Sequence, residues 1–237
     1  MTTIKIDQAH TCCTAQALQR TAQRYHIGIT VILFILGAAF LAQGGYMQAK
    51  AYFAQYLIEQ AWQQTLKDQQ HHKPWSWADT HPVAKLEFIT VPVKNVAGEQ
   101  RNLQSNSISD KAHNPTLYVL SGASGRNLAF GPAKLLSSAK VNSLGNTVIA
   151  GHRDTHFALL KGTQVGQQMI LQNAAGVEVL YQVNAIQVVH ESDLSVMAET
   201  GQAQLTLVTC YPFDSLVAGG PMRYVVTAVP LDKVEAI

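Results

Sequence analysis

An uninterrupted apolar stretch near the N-terminus is the feature that most constrains this chain. From Ile27 to Ala42 the sequence IGITVILFILGAAFLA has no charged side chain, and apolar character continues past Gln43 to Met47. A helix over residues 27–47 would be about 31 Å long, at about 1.5 Å per residue, which matches the hydrocarbon core of a bilayer. Because the stretch is apolar on all sides, a helix buried in a protein core is the weaker interpretation. We therefore predict a transmembrane helix that contacts the lipid bilayer.

A cleaved signal peptide is the alternative interpretation of the same stretch. Basic residues precede it, and Ala49-Lys50-Ala51 after it loosely resembles a cleavage site. However, the polar segment 1–26 is long for a signal peptide, and helical periodicity continues past the candidate cut. The apolar residues at helical spacing are Ala49, Tyr52, Phe53, Tyr56, Leu57 and Ala61. We therefore favour an uncleaved anchor that continues as an amphipathic helix to about Leu66.

Basic residues around the stretch predict its orientation. Arg20 and Arg24 lie just before it and only Lys50 follows closely, and basic residues favour the cytoplasmic side of a membrane. We therefore predict a single-pass protein of the cytoplasmic (inner) membrane. Residues 1–26 would be cytoplasmic, and the chain beyond the helix would be periplasmic or otherwise extracytoplasmic.

The cysteines and the charge balance exclude some classes of function. The chain has three cysteines, Cys12, Cys13 and Cys210, and none of them forms a CxxC pair with the spacing of a zinc site. In the predicted orientation Cys210 is the one thiol in an oxidising compartment. The formal net charge is +2 with no dense basic stripe, so nucleic acid is not an expected partner. We expect neither a metal nor another cofactor.

A polar connection follows the predicted membrane helix. Residues 48–83 would form an extracytoplasmic helix and a linker, with the polar sequence KDQQHHKPWSWADTHP over 67–82. Trp75 and Trp77 in this linker would either lie at the membrane interface or pack on the following domain. Packing is the favoured interpretation.

Residues 84–237 change to short runs rich in β-branched residues, separated by Gly, Asn and Pro. These runs are KLEFITVPV, TLYVLSG, NTVIAGH, QQMILQN, VEVLYQVNAIQVV, QLTLVTC and MRYVVTAVP. Such a pattern is typical of an all-β sandwich or barrel. Short helical turns are expected at HFALLKG (156–162) and at FGPAKLLSSA (130–139).

Three residues at predicted strand ends are candidates for chemistry. His152 follows the run NTVIAG, Cys210 ends the run LTLVT, and Arg223 begins the last strand. Strand ends hold a side chain on rigid backbone while opening onto loops. Taken singly, each residue is more often structural than catalytic. Together they supply a nucleophile, an acid/base and a charge stabiliser for acyl transfer.

These residues carry a family resemblance. TLVTC at 206–210, GHRD at 151–154 and the later Arg223 resemble the sortase family of cysteine transpeptidases. Longer runs resemble the sortases of Gram-negative, often marine, proteobacteria: PWSWADTHPVAKL (74–86), VTCYPFD (208–214) and GGPMRYVV (219–226).

The resemblance implies a fold, a substrate class and residue roles. The fold would be mainly β, an eight-stranded closed barrel with short helices, preceded by the N-terminal transmembrane helix. The substrate would be a protein with an LPxTG-like C-terminal sorting signal, cleaved between Thr and Gly. Cys210 would form a thioester, His152 would act as base and then acid, and Arg223 would stabilise the oxyanion or hold the substrate backbone. An amine of unknown identity would accept the acyl group.

Neighbouring residues have supporting or alternative roles. Thr209 would face away from Cys210 on a regular strand, so it would position the backbone or simply fill the strand. Asp154 would either orient the imidazole of His152 or cap the short helix that follows, with capping favoured. His156 is the rival base. Loops near 122–128 and 190–203 are expected to line the substrate pocket.

Two other functions remain open at this point. The same acyl-enzyme would make the protein a cysteine endopeptidase if water, rather than an amine, took the acyl group. A non-catalytic, membrane-tethered β-module with a buried Cys210 is the third hypothesis.

Overall fold

A long N-terminal helix, α1 (Asp7–Asp68), begins the structure. The computed structural model describes residues 7–89, 114–215, 217 and 219–231. The chain divides into two units, Met1–Phe53 and Ala54–Ile237. In the first unit, α1 is apolar and exposed from Gly28 to Lys50, and it is long enough to cross a membrane. The predicted apolar helix is confirmed, and it starts earlier than the apolar stretch because the polar segment before it is also helical.

The part of α1 that belongs to the second unit buries one face. Ala54, Ile58, Ala61, Trp62 and Thr65 recur at the spacing of one helical face, and all five are buried. Ile58 packs with Leu120 and Ala133, and the Gln55 side chain donates a 2.6 Å hydrogen bond to the Phe130 carbonyl. The amphipathic continuation is therefore present, but its buried face is not the one inferred from sequence. Tyr56, assigned to that face, is exposed.

The second unit is a closed eight-stranded barrel. Its strands are β1 (Pro82–Phe88), β2 (Thr116–Ser121), β3 (Ala133–Lys134), β4 (Asn146–Ala150), β5 (Gln168–Asn173), β6 (Glu178–His190), β7 (Gln204–Tyr211) and β8 (Met222–Pro230). Their order around the barrel is β1-β2-β3-β4-β7-β8-β6-β5. Helix α2 (Gly125–Leu128) and two 3₁₀ helices (His156–Leu160 and Ser195–Met197) lie between strands. The predicted eight-stranded barrel with short helices is confirmed.

One local expectation was wrong. FGPAKLLSSA was expected to form a helical turn, but it contains strand β3. Ala133 pairs with Leu120 of β2 on one side and with Ala150 of β4 on the other. Two ladders satisfy the backbone hydrogen-bonding groups there, which outweighs the local preference of Ala, Lys and Leu for helix. The short helical turn predicted at HFALLKG is present as the 3₁₀ helix His156–Leu160.

Alternation along β7 decides which face of the barrel carries the candidate nucleophile. Leu205 and Leu207 are fully buried in the barrel core, and Thr209 shares their parity. Cys210 therefore lies on the outer face of β7, at the end of the strand. The residue is partly exposed.

Trp75 and Trp77 differ in environment. The Trp75 ring packs edge-on against Phe130, with 5.0 Å between centroids, beside the cluster around Ile58. Trp77 is 73% exposed. The packing interpretation thus holds for Trp75. The domain boundaries proposed from sequence stay predictions.

Candidate active site

Cys210 and Arg223 lie directly opposite each other on adjacent strands. Antiparallel pairing of β7 with β8 places Cys210 against Arg223, and pairing of β8 with β6 places Arg223 against Val189. Residues in such a row share one face of the sheet, with Cα atoms about 4.5–5.5 Å apart. The side chains of Cys210 and Arg223 therefore extend from adjacent positions on the outer face.

The residue before His152 is tied to the other edge of β7. Strand β4 runs parallel to β7, and beyond it the Gly151 amide donates to the Val208 carbonyl at 3.1 Å. The buried Thr209 hydroxyl donates to the Gly151 carbonyl at 2.8 Å. The structure thus brings the three predicted catalytic residues onto three neighbouring segments, with Cys210 in the middle. It also gives Thr209 a backbone-positioning contact.

Gly151 is required by a close approach. A Cβ added at this position would lie 2.7 Å from the ring of buried Phe157. The Phe157 amide donates to the His152 carbonyl at 2.9 Å, at the start of the 3₁₀ helix. The backbone on both sides of His152 is therefore fixed by packing and hydrogen bonds.

The guanidinium of Arg223 is held by three acceptors. One nitrogen donates to the carbonyls of Gly220 and Met222, at 2.6 and 3.0 Å, and the other contacts the Glu191 carboxylate at 2.6 Å. Glu191 is half exposed, so this ion pair lies at the rim of the site. Sequence reasoning missed Glu191 because it lies 32 residues before Arg223 and no motif marks it.

Asp154 takes neither of its expected roles, whereas His156 stays a candidate base. Burial, and secondarily the positive charge of nearby His152, lower the pKa of His156. The imidazole of His156 is therefore mostly neutral near pH 7. The 3₁₀ helix has Thr155 as its N-cap without a side-chain cap, and exposed Asp154 makes no side-chain hydrogen bond to any described residue. Neither capping nor orientation of His152 by Asp154 is seen.

Arg153, between these residues, is the site residue that sequence reasoning overlooked. It is only 6% exposed, and its guanidinium donates to the carbonyls of Ser215, Val217 and Gly219 in the connection between β7 and β8. The signal available in the sequence was the arginine inside GHRD itself. Its partners lie more than 60 residues away, so the contact was not deducible.

Of the two expected pocket loops, one borders the site. The connection 191–203 starts beside the row of Cys210 and Arg223, since Glu191 donates its amide to the Pro221 carbonyl. Its later part is fixed by the Asn146 side-chain amide, which donates to the carbonyls of Val196 and Ala198. The loop after β2 leaves in the opposite direction, because β2 runs parallel to β3, and β3 antiparallel to β4.

An aromatic cluster lies at the same ends of β7 and β8. Tyr211 stacks on Tyr224 with 6.2 Å between centroids, and Phe213 meets both rings edge-on. Burial raises the pKa of Tyr224, with a further contribution from Tyr211. Phe213 and Tyr224 also pack against the barrel core, whereas Tyr211 is exposed. The described ranges contain no group of three or more His, Cys, Asp or Glu side chains able to hold a metal ion.

Fold and site together define the class of protein. A closed eight-stranded barrel with Cys, His and Arg on three adjacent segments at one end is the architecture of a sortase-type cysteine transpeptidase. A family model described as the sortase domain matches residues 111–231, just over half of the chain. The chain belongs to the sortase family, as the sequence motifs predicted.

Individual relatives show the same likeness. The chain is 31% identical over 114 residues to sortase D of Bacillus subtilis (strain 168), which covers 48% of this chain and 57% of that protein. The chain thus matches less than two thirds of that relative's length. Among solved structures, a Clostridium perfringens sortase D5 transpeptidase is 20% identical, with a TM-score of 0.49 and coverage of 73% of this chain and 89% of the other. Listeria monocytogenes sortase A is 18% identical, with a TM-score of 0.48 and coverage of 66% and 91%.

Proposed function

We propose that this protein is a membrane-anchored cysteine transpeptidase that cleaves an LPxTG-like sorting signal between Thr and Gly. The observation that carries the proposal is the row formed by Cys210 and Arg223, with His152 on the segment hydrogen-bonded to the other side of β7. This arrangement supports Cys210 as the nucleophile and Arg223 as the charge stabiliser, with His152 as the acid/base on the adjoining segment.

The first half-reaction forms a thioester on Cys210. The thiolate is the attacking form of cysteine, and His152 accepts the thiol proton. Attack on the Thr carbonyl gives a tetrahedral intermediate whose oxyanion Arg223 stabilises with N–H donors. When the intermediate collapses, the C–N bond to Gly breaks, and His152 returns the proton to the leaving amine.

The second half-reaction releases the acyl group to an amine. The incoming amine attacks the thioester, His152 takes its proton, and the thiol of Cys210 is regenerated. The outward-facing, partly exposed position of Cys210 supports access by a polypeptide rather than by a small enclosed ligand. An extended signal peptide would lie on the outer face, beside the connection 191–203.

Product analysis with an LPxTG-like peptide tests this function. With a glycine-based amine present, the wild-type protein should yield the amine-ligated peptide, and Cys210→Ala should yield none. Cys12→Ala with Cys13→Ala is the matched control and should leave turnover unchanged. Cleavage that gives only the free acid would make the protein an endopeptidase, and full turnover by Cys210→Ala would reject the mechanism.

Thiol labelling separates an enzyme from a non-catalytic module. The partial exposure of Cys210 favours rapid reaction with iodoacetamide in the folded protein. A Cys210 that reacts only after unfolding would favour the module with a buried cysteine.

We further propose that residues 27–47 anchor the protein in the inner membrane with residues 1–26 inside and the barrel outside. The apolar, exposed helix and the basic residues before it support this placement. In spheroplasts, a membrane-impermeant maleimide should label Cys210 at once, and Cys12 and Cys13 only after permeabilisation. The reverse pattern would overturn the orientation.

A further inference from the structure

Arg153 is a buried arginine with no part in the mechanism described above. Buried arginines are uncommon unless their charge and donors are satisfied. Among the described residues Arg153 has no carboxylate within ion-pair distance. Instead three backbone carbonyls accept from its guanidinium, at 3.2 Å for Ser215 and Gly219 and closer for Val217.

The three acceptors belong to the segment that joins Cys210 to Arg223. Within it, Gly219 and Gly220 have φ of 79° and 101°, a region that favours glycine. The Gly219 carbonyl accepts from Arg153, and the next carbonyl, that of Gly220, accepts from Arg223 at 2.6 Å. Two arginines therefore hold consecutive carbonyls of one turn.

We propose that Arg153 is a positioning residue that acts on Arg223 through the Gly219–Gly220 turn. Arg153 fixes the turn against the segment that carries His152, and the fixed Gly220 carbonyl then holds the Arg223 guanidinium beside Cys210. The role in turnover rests on the proposed function. The contact itself does not.

The alternative route, through His152, is less direct. Gly151 is already held by the Val208 carbonyl and by the Thr209 hydroxyl, and the His152 carbonyl is held by the Phe157 amide. These contacts do not involve Arg153. Loss of the Arg153 guanidinium therefore releases the turn first.

Lysine is a poor substitute for Arg153. The planar guanidinium presents several donors in fixed directions, whereas an ammonium is a point charge with three rotatable donors. Arg153→Lys keeps the positive charge but not the fork that spans Ser215, Val217 and Gly219. Comparison of Lys with Met at this position separates charge from geometry.

Hydrogen exchange of the full-length protein in detergent tests the structural part. Backbone amides of Ser215 and Val217, which donate to the Pro212 carbonyl and the Ser215 hydroxyl, should exchange at least tenfold faster in Arg153→Lys and Arg153→Met than in wild type, while β4 and β7 keep their protection. Arg126→Met is the matched control, since it removes an exposed arginine paired with Asp79. It should change neither the exchange of the two amides nor that of β4 and β7. Unchanged exchange in both Arg153 variants would overturn the proposal. If Arg153→Met does not fold, Arg153→Lys decides.

A double-mutant cycle tests the action on Arg223. Each Arg153 variant should lower kcat/KM at least tenfold, mainly through kcat. Lysine at position 153 should not restore the wild-type value. In an Arg223→Lys background the same substitutions should lower kcat/KM less than threefold, because the guanidinium that Arg153 positions is absent. If the Arg153 and Arg223 substitutions lower kcat/KM by independent factors that multiply in the double variant, the proposal is overturned.

The pH profile of Cys210 alkylation completes the test. It should be the same in wild type and Arg153→Lys, and a shifted profile would mean that Arg153 acts on the thiol and His152 instead. If wild type cleaves no sorting peptide, the proposed function fails. The exchange comparison then still accepts or rejects Arg153 as the residue that holds the turn.

Discussion

The hydroxyl of Thr209 donates a 2.8 Å hydrogen bond to the carbonyl of Gly151, and these residues immediately precede Cys210 and His152. This buried contact, with the hydrogen bond from the Gly151 amide to the Val208 carbonyl, sets the backbone spacing between the strand of the nucleophile and the segment of the acid/base. Arg223 is placed by strand register, and its guanidinium is held by carbonyls of the connecting turn.

Thr209→Val should reduce both stability and activity. Valine has nearly the same shape, but it leaves the Gly151 carbonyl without its donor, which costs about 1–3 kcal/mol at a buried site. We also expect kcat to fall, since the His152 segment loses a restraint. Urea unfolding and peptide cleavage measure the two effects. Thr209→Ser keeps the hydroxyl and should retain most activity; equal losses in Ser and Val would contradict this role.

Arg223→Ala should lower kcat by about 10²–10³-fold, the usual effect of removing one oxyanion donor. Because its ion pair with half-exposed Glu191 lies at the rim, stability should change little. Single-turnover kinetics with a sorting peptide give the rate of acylation directly. A rate within threefold of wild type would remove Arg223 from the mechanism.

Glu191→Gln should have a small effect by comparison. Its carboxylate is half exposed, and exposed ion pairs contribute about 0–1 kcal/mol. Gln retains a hydrogen-bond acceptor for Arg223, so kcat/KM should stay within about fivefold of wild type. A loss as large as that of Arg223→Ala would show that Glu191 itself takes part in the reaction.

His156 should make the free energy of unfolding depend on pH in a defined window. Burial and the charge of His152 lower its pKa from the ordinary value near 6.5, so below pH 6.5 the unfolded chain binds more protons at this site than the folded protein. The contribution of His156 is complete above about pH 6.5 and is lost as pH falls towards the lowered pKa. His81, whose pKa is lowered mainly by burial, acts in the same direction.

Urea denaturation between about pH 5.5 and 7.5 checks this prediction. His156→Gln should reduce the slope without abolishing it, because His81 remains. A slope of the opposite sign, or an unchanged slope in the variant, would contradict it.

The sequence predicted those features that depend on local pattern. β-branched runs marked the longer strands, and short motifs marked His152 and Cys210 at strand ends. The two-residue strand β3 was missed because pairing on both sides, not its own residues, makes it a strand. The buried face of α1 was misassigned because it depends on the barrel residues that Ile58 packs against, Leu120 and Ala133.

Contacts between distant segments could not be predicted from the sequence either. Arg153 and its carbonyl partners are separated by 62–66 residues, and nothing in the sequence around Ser215 or Gly219 indicates an acceptor. Every residue has a backbone carbonyl, so the sequence does not indicate which turn will bind a guanidinium. The same holds for Asn146 and the connection 191–203.

The most direct test of the account is the intact mass of the protein after mixing with an LPxTG-like peptide. We predict a covalent adduct that adds the mass of the peptide through Thr less one water, mapped to Cys210 by digestion and discharged by an added amine. Cys210→Ala should show no adduct and no cleavage. An adduct on another residue, or cleavage by Cys210→Ala at the wild-type rate, would contradict the central claim that Cys210 is the nucleophile.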